Sequence, residues 1–467
     1  MPRLIVVRKI CLLCVLALLV ACAQEEEPKQ EAASTAPPAA QTAVETEPPS
    51  APTSDPQTAP EATSAPEPEP ETTAIPFDNL HVPSPEWQDQ IIYFLMTDRF
   101  FDGDPSNNDQ GAEEYDPQDF SKYNGGDLNG ILQKLDYIAE LGATAVWITP
   151  PVSNQWWDPL VEFGGYHGYW AENFTEVDPH LGTLYDYQAL SAALHSRDMY
   201  LIQDIVTNHT GNFFTYQDDE GTTRYNANDP AANVRFNTES VPISKPSQPP
   251  FDRNDVTDAQ QREESIYNWT PAISDFNDES QILTYQLSDL DDLNTTNLIV
   301  RDALKQAYAY WIETVGVDGF RVDTIRYVEQ DFWHDFEYSA DEDAPGMTAV
   351  AAGTGREDFL TFGEAFLDAQ PLDDAGDRAV AAYMGTPDLP GLDAVLHFPL
   401  HWTINRVFVE GQPTNYMTYR LNTFLDPTIY QDPTIIPTFI DNHDVARFLS
   451  KGNLDGFKQA NMLLMTI

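Results

Sequence analysis

Short apolar runs alternate with longer amphipathic stretches along much of the chain. Runs of strand length lie at residues 91–95, 143–148 and 200–206. Apolar residues at helical spacing fall within residues 128–141 and 185–194. Because strands that alternate with helices in sequence belong to a parallel sheet, this order predicts an α/β fold, either a sheet or a barrel.

The pattern is interrupted after the third strand and then resumes. Between residues 210 and 290 it gives way to Asn, Asp, Pro and aromatic residues, which predicts an irregular insertion domain. A helical pattern follows at residues 299–315 and again at 457–467. Four further strands are predicted at residues 319–322, 359–362, 395–398 and 435–440. Seven strands of this kind predict a (β/α)8 TIM-type barrel over residues 77–467 that lacks its eighth strand.

The first 76 residues have a different character. Basic residues precede an apolar run at 10–20, the layout of an export signal over residues 1–22, and the run is too short to cross a membrane. Its end, Leu-Val-Ala-Cys, resembles the lipobox of bacterial lipoproteins, which implies a lipid on Cys22; the alternative is an ordinary signal with an incidental cysteine. Residues 23–76 are rich in Pro, Glu, Ala and Thr and predict a disordered tether. We therefore expect an exported protein, lipid-anchored on the periplasmic or cell-surface side of a bacterial membrane.

The charge balance excludes some partners. The chain has 75 acidic against 24 basic residues, which argues against nucleic acid or anionic lipid as a partner and favours solubility in salt or binding of cations. Removal of the signal would leave Cys22 as the one cysteine, so no internal disulfide is expected. The sequence does not indicate an oligomeric state.

Polar residues that can do chemistry lie at the C-terminal ends of the predicted strands, where barrel enzymes place their active sites. An Asp in such a position is more often a helix cap or an ion-pair partner, but several in order favour a site. Retaining glycosidases need two carboxyl groups roughly 5 Å apart, one ionised and one protonated, and carboxyls beside an arginine can supply both. The residues are Asp204, Asn208, His209, Arg321, Asp323, Glu364, His443 and Asp444.

Four segments around these residues resemble the signature regions of the α-amylase superfamily, glycoside hydrolase family 13. They are DIVTNH (204–209), GFRVDTIRY (319–327), FGEAF (362–366) and FIDNHD (439–444). LDDLN (290–294) resembles a fifth region, and GGYHGYW (164–170) is also similar to the family. TDRFFDGDPSNND (97–109) is most similar to cyclodextrin glucanotransferases and related amylases.

The resemblance implies a role for each matching residue. Asp323 would be the nucleophile, Glu364 the general acid and then base, and Asp444 a transition-state stabiliser. Arg321 would keep Asp323 ionised, with Asp204 behind it. The implied sugar contacts are His209, His443 and Tyr169, which stacks on the ring, and for these three buried structural packing is the alternative. Many relatives have a Lys-His pair where this chain has Arg326 and Tyr327, so Arg326 is a candidate contact on an uncertain acceptor side.

Calcium is the ion that the resemblance implies, because a hard cation binds several oxygens and would fix the insertion against the barrel. The matching ligands are the side chains of Asn208 and Asp292 and the carbonyl of Tyr327, with a fourth expected from the insertion. A second site, or else an ordinary polar turn, is suggested by Asp102, Asp104, Asn107, Asn108 and Asp127, with the Gly125 carbonyl.

Three functions remain open at this point. The first is hydrolysis of α-1,4-glucan such as starch or maltodextrin, and the second is transglycosylation by the same residues. The third is non-catalytic glucan binding, which the complete set of acids disfavours. Because the family continues with an eighth strand and usually a β-sandwich, we expect Ile467 to end a partial sequence, so that these functions refer to the complete protein.

Overall fold

A computed structural model describes residues 77–467. The predicted signal at 1–22, the tether at 23–76 and the lipidation site Cys22 lie outside the described residues. Among residues 77–467, no helix is both long and apolar enough to cross a membrane.

Six parallel strands form the central sheet, each paired with the next in chain order. They are β1 (Ile92–Leu95), β2 (Ala145–Ile148), β3 (Tyr200–Val206), β4 (Gly319–Asp323), β5 (Leu360–Gly363) and β6 (Ala394–Val395). Every residue of β2, β4 and β5 is buried, as expected for a parallel sheet covered on both faces. The curled sheet is the larger part of the barrel that the sequence predicts.

The first five strands begin within two residues of their predicted positions, and the last two differ. β6 has two residues, and the chain turns into a helix at Phe398 because the His397 ring accepts a hydrogen bond from the Leu400 amide. The prediction of a seventh strand at 435–440 is wrong. This segment makes one backbone hydrogen bond to the segment that follows β6: the His397 amide donates to the Pro437 carbonyl at 3.1 Å. Pro437 has no N–H with which to extend the pairing.

Helices cover the sheet, and most match their apolar stripes. The helix predicted at 128–141 is two helices, because the backbone at Lys134 leaves the helical region with φ −109° and ψ 9°. Helix Leu298–Val315 starts at an Asn297 cap and ends at Gly316, whose φ of 75° suits glycine. The other α-helices within residues 77–467 are Leu184–His195, Ala259–Glu264, Glu279–Thr284, Gln330–Tyr338, Met347–Gly353, Ala375–Ala381, Phe398–Ile404, Asn415–Phe424, Phe448–Lys451 and Leu454–Leu464.

The insertion between β3 and β4 has little regular structure. It contains two six-residue helices and one pair of two-residue strands, Phe214–Thr215 with Arg235–Phe236. Three more short antiparallel pairs lie elsewhere, at Val152–Asn154 with Ala171–Val177, Trp157–Asp158 with Phe163–Gly164, and Gly385–Thr386 with Leu389–Pro390. Hydrogen bonds between side chains and backbone hold much of the insertion, such as those that the Asp291 carboxylate accepts from the Phe213 and Phe214 amides.

Candidate active site

The strand register brings the first site residues together. Arg321 on β4 lies directly beside Asp204 on β3 and Phe362 on β5. Arg321 and Asp323 are two residues apart on one strand, so their side chains point to the same face. All three charged side chains are buried, with Asp204 and Arg321 fully inaccessible to solvent.

The Arg321 guanidinium is the centre of the site. Its Nη1 donates to Asp204 Oδ1 at 2.9 Å and to Asp323 Oδ1 at 2.9 Å. Its Nη2 contacts Glu364 Oε2. Burial opposes the charge on Arg321, but the carboxylates of Asp204 and Glu364 outweigh it and raise the Arg321 pKa well above its usual value. One permanent cation therefore holds three carboxyl groups from three neighbouring strands.

Glu364 is placed by the backbone that follows β5. Its amide donates to the Val322 carbonyl at 2.8 Å, and its carbonyl accepts from the Ile325 amide at 3.1 Å. Burial raises the pKa of Glu364 well above its usual range; Arg321 opposes this, and the charges of Asp444 and Asp323 add to it. Glu364 is therefore the carboxyl group best suited to hold a proton at neutral pH.

Tyr169, His443 and Asp444 form a second group of site residues, in which His443 contacts both of the others. The Tyr169 hydroxyl lies 2.9 Å from His443 Nε2, and the two rings are stacked with centroids 5.5 Å apart. His443 Nε2 also lies 3.2 Å from Asp444 Oδ2. Burial raises the Asp444 pKa to about 7, and burial together with Arg321 lowers the His443 pKa well below its usual value. The imidazole is therefore neutral at pH 7.

Three predicted contacts have protein partners in this structure. Tyr169 is 8% exposed, and its hydroxyl donates to Asp204 Oδ2 at 2.9 Å, so its stacking on a sugar stays a prediction. His209 Nε2 lies 3.2 Å from the Tyr169 carbonyl, and burial lowers the His209 pKa. Arg326 lies apart from the carboxyl cluster, where its Nη2 donates to the Phe276 carbonyl of the insertion at 3.1 Å.

Trp147 belongs to the site and was missed by the sequence analysis. Its Nε1 donates to Asp204 Oδ2 at 2.9 Å, and the Arg321 guanidinium lies 5.3 Å from its ring centroid. In the sequence it is one large apolar residue in the buried strand β2. The only available signal was that a buried indole N–H usually has a hydrogen-bond partner.

Two of the residues predicted for the first calcium site, Asn208 and Asp292, lie close together. The His209–Asp292 backbone bridge brings Asn208 to Asp292. Asp292 Oδ1 is buried without a hydrogen-bond partner, and Asp292 Oδ2 accepts from the side-chain amide of Asn268 at 2.8 Å. Burial raises the Asp292 pKa well above its usual value, and Glu329, two residues after Tyr327, raises it further. A buried carboxylate with a free oxygen fits a hard cation.

The five side chains predicted for the second calcium site fall into two groups. Asp102 Oδ1, Asn107 Oδ1 and Asn108 Oδ1 are all buried without a hydrogen-bond partner, a donor set that suits calcium. The Asn108 side chain packs against Gly125, within 3 Å of where a Cβ would lie. The other two predicted ligands, Asp104 and Asp127, accept hydrogen bonds from backbone amides. Asp127 caps the helix Leu128–Gln133, and its Oδ2 accepts from the Asp104 amide at 2.8 Å. The exposed Asp104 accepts from the Ser106 amide at 3.0 Å.

Comparison with known proteins agrees with this geometry. The family model for the α-amylase catalytic domain matches residues 94–467. A cyclomaltodextrin glucanotransferase of Klebsiella oxytoca is 32% identical over 78% of this chain and 50% of its own length. An α-amylase of Streptomyces lividans is 30% identical over 71% of this chain and 36% of its own length. The chain thus spans half or less of the length of these relatives.

Solved structures show the same similarity. The α-amylase of Geobacillus thermoleovorans, crystallised with acarbose, superposes with a TM-score of 0.58 at 30% identity, covering 81% of this chain and 68% of that one. An Anoxybacillus α-amylase gives a TM-score of 0.59 at 30% identity, covering 81% and 69%.

Proposed function

The chain belongs to the α-amylase family, and we propose from this premise that the complete protein is a retaining glycoside hydrolase acting on α-1,4-glucosidic bonds of starch or maltodextrins. The observation that carries the proposal is the pairing of Asp323 with Glu364. Both contact the same Arg321 guanidinium, Asp323 through Nη1 and Glu364 through Nη2, which holds the two carboxyl groups close together. Inverting enzymes need a gap of ~6.5–9.5 Å between such groups to admit water, so this arrangement favours retention.

The chemistry follows from the two protonation states. Ionised Asp323 attacks the anomeric carbon and forms a C–O bond, while protonated Glu364 gives its proton to the departing glycosidic oxygen. Glu364, now a carboxylate, takes a proton from water, whose oxygen attacks the same carbon and releases Asp323. Burial supports this assignment, because it raises the pKa of Glu364 well above its usual range and so favours its protonated form, while Asp323 Oδ1 accepts a hydrogen bond from Arg321 Nη1 at 2.9 Å.

Transglycosylation is the second candidate, in which a sugar hydroxyl replaces water in the last step. It is favoured by the similarity to cyclomaltodextrin glucanotransferases, including the relative from Klebsiella. The same two carboxyl groups serve both reactions, so the products must distinguish them.

The test is to incubate the full-length protein with soluble starch and with maltoheptaose and to separate the products by chromatography. Linear maltooligosaccharides indicate hydrolysis, and cyclic or elongated products indicate transfer. Asp323→Asn and Glu364→Gln should each lower kcat by roughly 10⁴-fold or more, whereas the exposed Asp455→Asn should not. Glucan binding without turnover in the unmodified protein would contradict the enzymatic proposal.

Calcium is proposed as the bound ion. Asn208, Asp292 and the Tyr327 carbonyl would hold one ion, and Asp102, Asn107 and Asn108 a second. The support is Asp292 Oδ1 in the first place and the Oδ1 atoms of Asp102, Asn107 and Asn108 in the second, all buried without a hydrogen-bond partner. When bound, calcium supplies fixed positive charge that ties loops to the barrel.

Membrane attachment through Cys22 is also proposed, on the sequence motif alone. The glucan would then be met outside the cytoplasm. Cys22→Ser should move the protein from the membrane fraction to the soluble fraction, and an unchanged distribution would contradict the anchor.

A further inference from the structure

We infer that Trp147 is a positioning residue for the reaction: its indole N–H holds Asp204 in the orientation from which Asp204 fixes Arg321 between the two catalytic carboxyl groups. The inference rests on the proposed function for its kinetic consequences. Its structural part can be tested without activity.

The contacts of Trp147 lead directly to the catalytic cluster. Its Nε1 donates to Asp204 Oδ2 at 2.9 Å, and Asp204 in turn accepts from Arg321 Nη1 at 2.9 and 3.0 Å. Its ring packs edge-on against Phe362, with centroids 5.7 Å apart, two residues before Glu364. Trp147 is 5% exposed, so its contacts are almost entirely with neighbouring side chains, through which it acts.

This pairing is not an automatic result of burying an indole. The Nε1 atoms of Trp156, Trp269 and Trp333 are buried without a hydrogen-bond partner. The N–H of Trp147, in contrast, donates directly to a carboxylate of the catalytic cluster.

Asp204 depends on such donors because its surroundings disfavour its charge. Burial raises the Asp204 pKa to about 7, opposed by Arg321 and assisted by Asp323. Asp444, Tyr169 and Tyr308 are the other titratable groups that face it. The hydrogen bonds from Arg321 and Trp147 favour the carboxylate form. A protonated Asp204 would bind Arg321 less well, and the guanidinium would then be free to shift toward Glu364.

The experiment is Trp147→Phe in the full-length protein, compared with Trp311→Phe. Trp311 is an equally buried tryptophan whose Nε1 donates to the Phe174 carbonyl at 2.8 Å, in the core away from the cluster. Trp147→Phe should lower kcat by about tenfold or more with KM within roughly twofold, and should move the acid limb of the kcat–pH profile up by about one pH unit. Trp311→Phe should lower the melting temperature and leave the acid limb in place.

A double variant separates positioning from general damage. In an Asp204→Asn background, Trp147→Phe should cause no further loss of kcat. Additive losses, or an unmoved acid limb in Trp147→Phe, would overturn the proposal.

A measurement on the unmodified protein tests the contact between Trp147 and Asp204 directly. It remains informative if Trp147→Phe does not fold or if the protein has no glycosidase activity. In protein labelled with ¹⁵N-tryptophan, one indole N–H resonance should titrate between about pH 5 and 8 as Asp204 ionises. Inactivity on glucans with this titration present would reject the proposed function and retain the contact. The absence of any titrating indole resonance would reject the contact itself.

Discussion

At the scale of single residues, His180 is a buried cation with two anionic partners. Its Nδ1 lies 2.7 Å from Asp178 Oδ1, its Nε2 lies 3.1 Å from Glu114 Oε1, and the Tyr123 ring stacks on it at 3.8 Å. Burial lowers the His180 pKa, but the two carboxylates outweigh it and raise the pKa to about 9. The ion pair ties the loop that carries the second predicted calcium site to the chain after the strand Ala171–Val177.

The stability that His180 contributes should therefore depend on pH. Its pKa in the folded state lies above the unfolded value of 6.5, so the contribution is complete below pH 6.5 and is lost as pH rises through 9. A difference of this size corresponds to about 3 kcal/mol. His180→Gln should lower the free energy of unfolding more at pH 6 than at pH 10, measured by urea denaturation.

The matched control for this prediction is His334→Gln. His334 Nδ1 lies 2.8 Å from the Pro390 carbonyl, so the substitution removes a histidine hydrogen bond to a neutral group. The loss in His334→Gln measures the effect of removing a histidine hydrogen bond that has no charged partner. An equally large loss at pH 6 and pH 10 in His180→Gln would contradict the charged pair.

At the scale of elements, the insertion is attached to the barrel near Asp292. The side-chain amide of Asn268, in the insertion, donates to the Asp292 carboxylate. The backbone amide of Leu293 donates to the Asn208 carbonyl at 2.9 Å. The free oxygen of Asp292 faces this junction without a partner. A bound cation would therefore join the insertion to the end of β3, which is the element that carries Asp204.

Removal of calcium should loosen this junction. Dialysis against EDTA should lower the melting temperature by several degrees and increase hydrogen exchange in residues 266–294, because a ligand at 100 times its Kd stabilises by about 2.7 kcal/mol. Asp292→Asn should lose most of the difference between calcium and EDTA, whereas the exposed Asp455→Asn should retain it. Identical melting curves with calcium and with EDTA would contradict the proposed site.

At the scale of the whole molecule, the formal net charge of −51 governs the response to salt. Self-repulsion among so many carboxylates destabilises the compact state, and salt screens it. The Debye length falls from about 10 Å at 0.1 M to about 3 Å at 1 M. Exposed ion pairs such as Arg235 with Asp219 are weakened by the same screening, but they contribute little.

The melting temperature at pH 7 should therefore rise between 0.05 and about 1 M NaCl, where screening is nearly complete. Near pH 4.5, close to the isoelectric point of about 4.1, the same series should show a much smaller change. A melting temperature that falls with salt at pH 7 would show that attractive ion pairs outweigh the repulsion.

The sequence by itself determined the features that depend on local pattern. Strands β1 to β5 were predicted because each is a short apolar run, and burial of such a run is visible in the sequence. The cluster around Arg321 was predicted because its residues lie at the C-terminal ends of these strands, and the carboxyl ends of parallel strands lie at one face. The family resemblance added their roles, which remain predictions.

Only the tertiary structure decided which residues are partners. The run at 435–440 is as apolar as a strand, yet strand formation requires paired backbone on a neighbour, and Pro437 limits that pairing. Asp127, which stays a predicted calcium ligand, accepts backbone hydrogen bonds at a helix start, a contact that only the structure shows. Trp147 meets Asp204 across 57 residues of sequence. Such contacts depend on the folding of distant segments against one another, which local periodicity does not record.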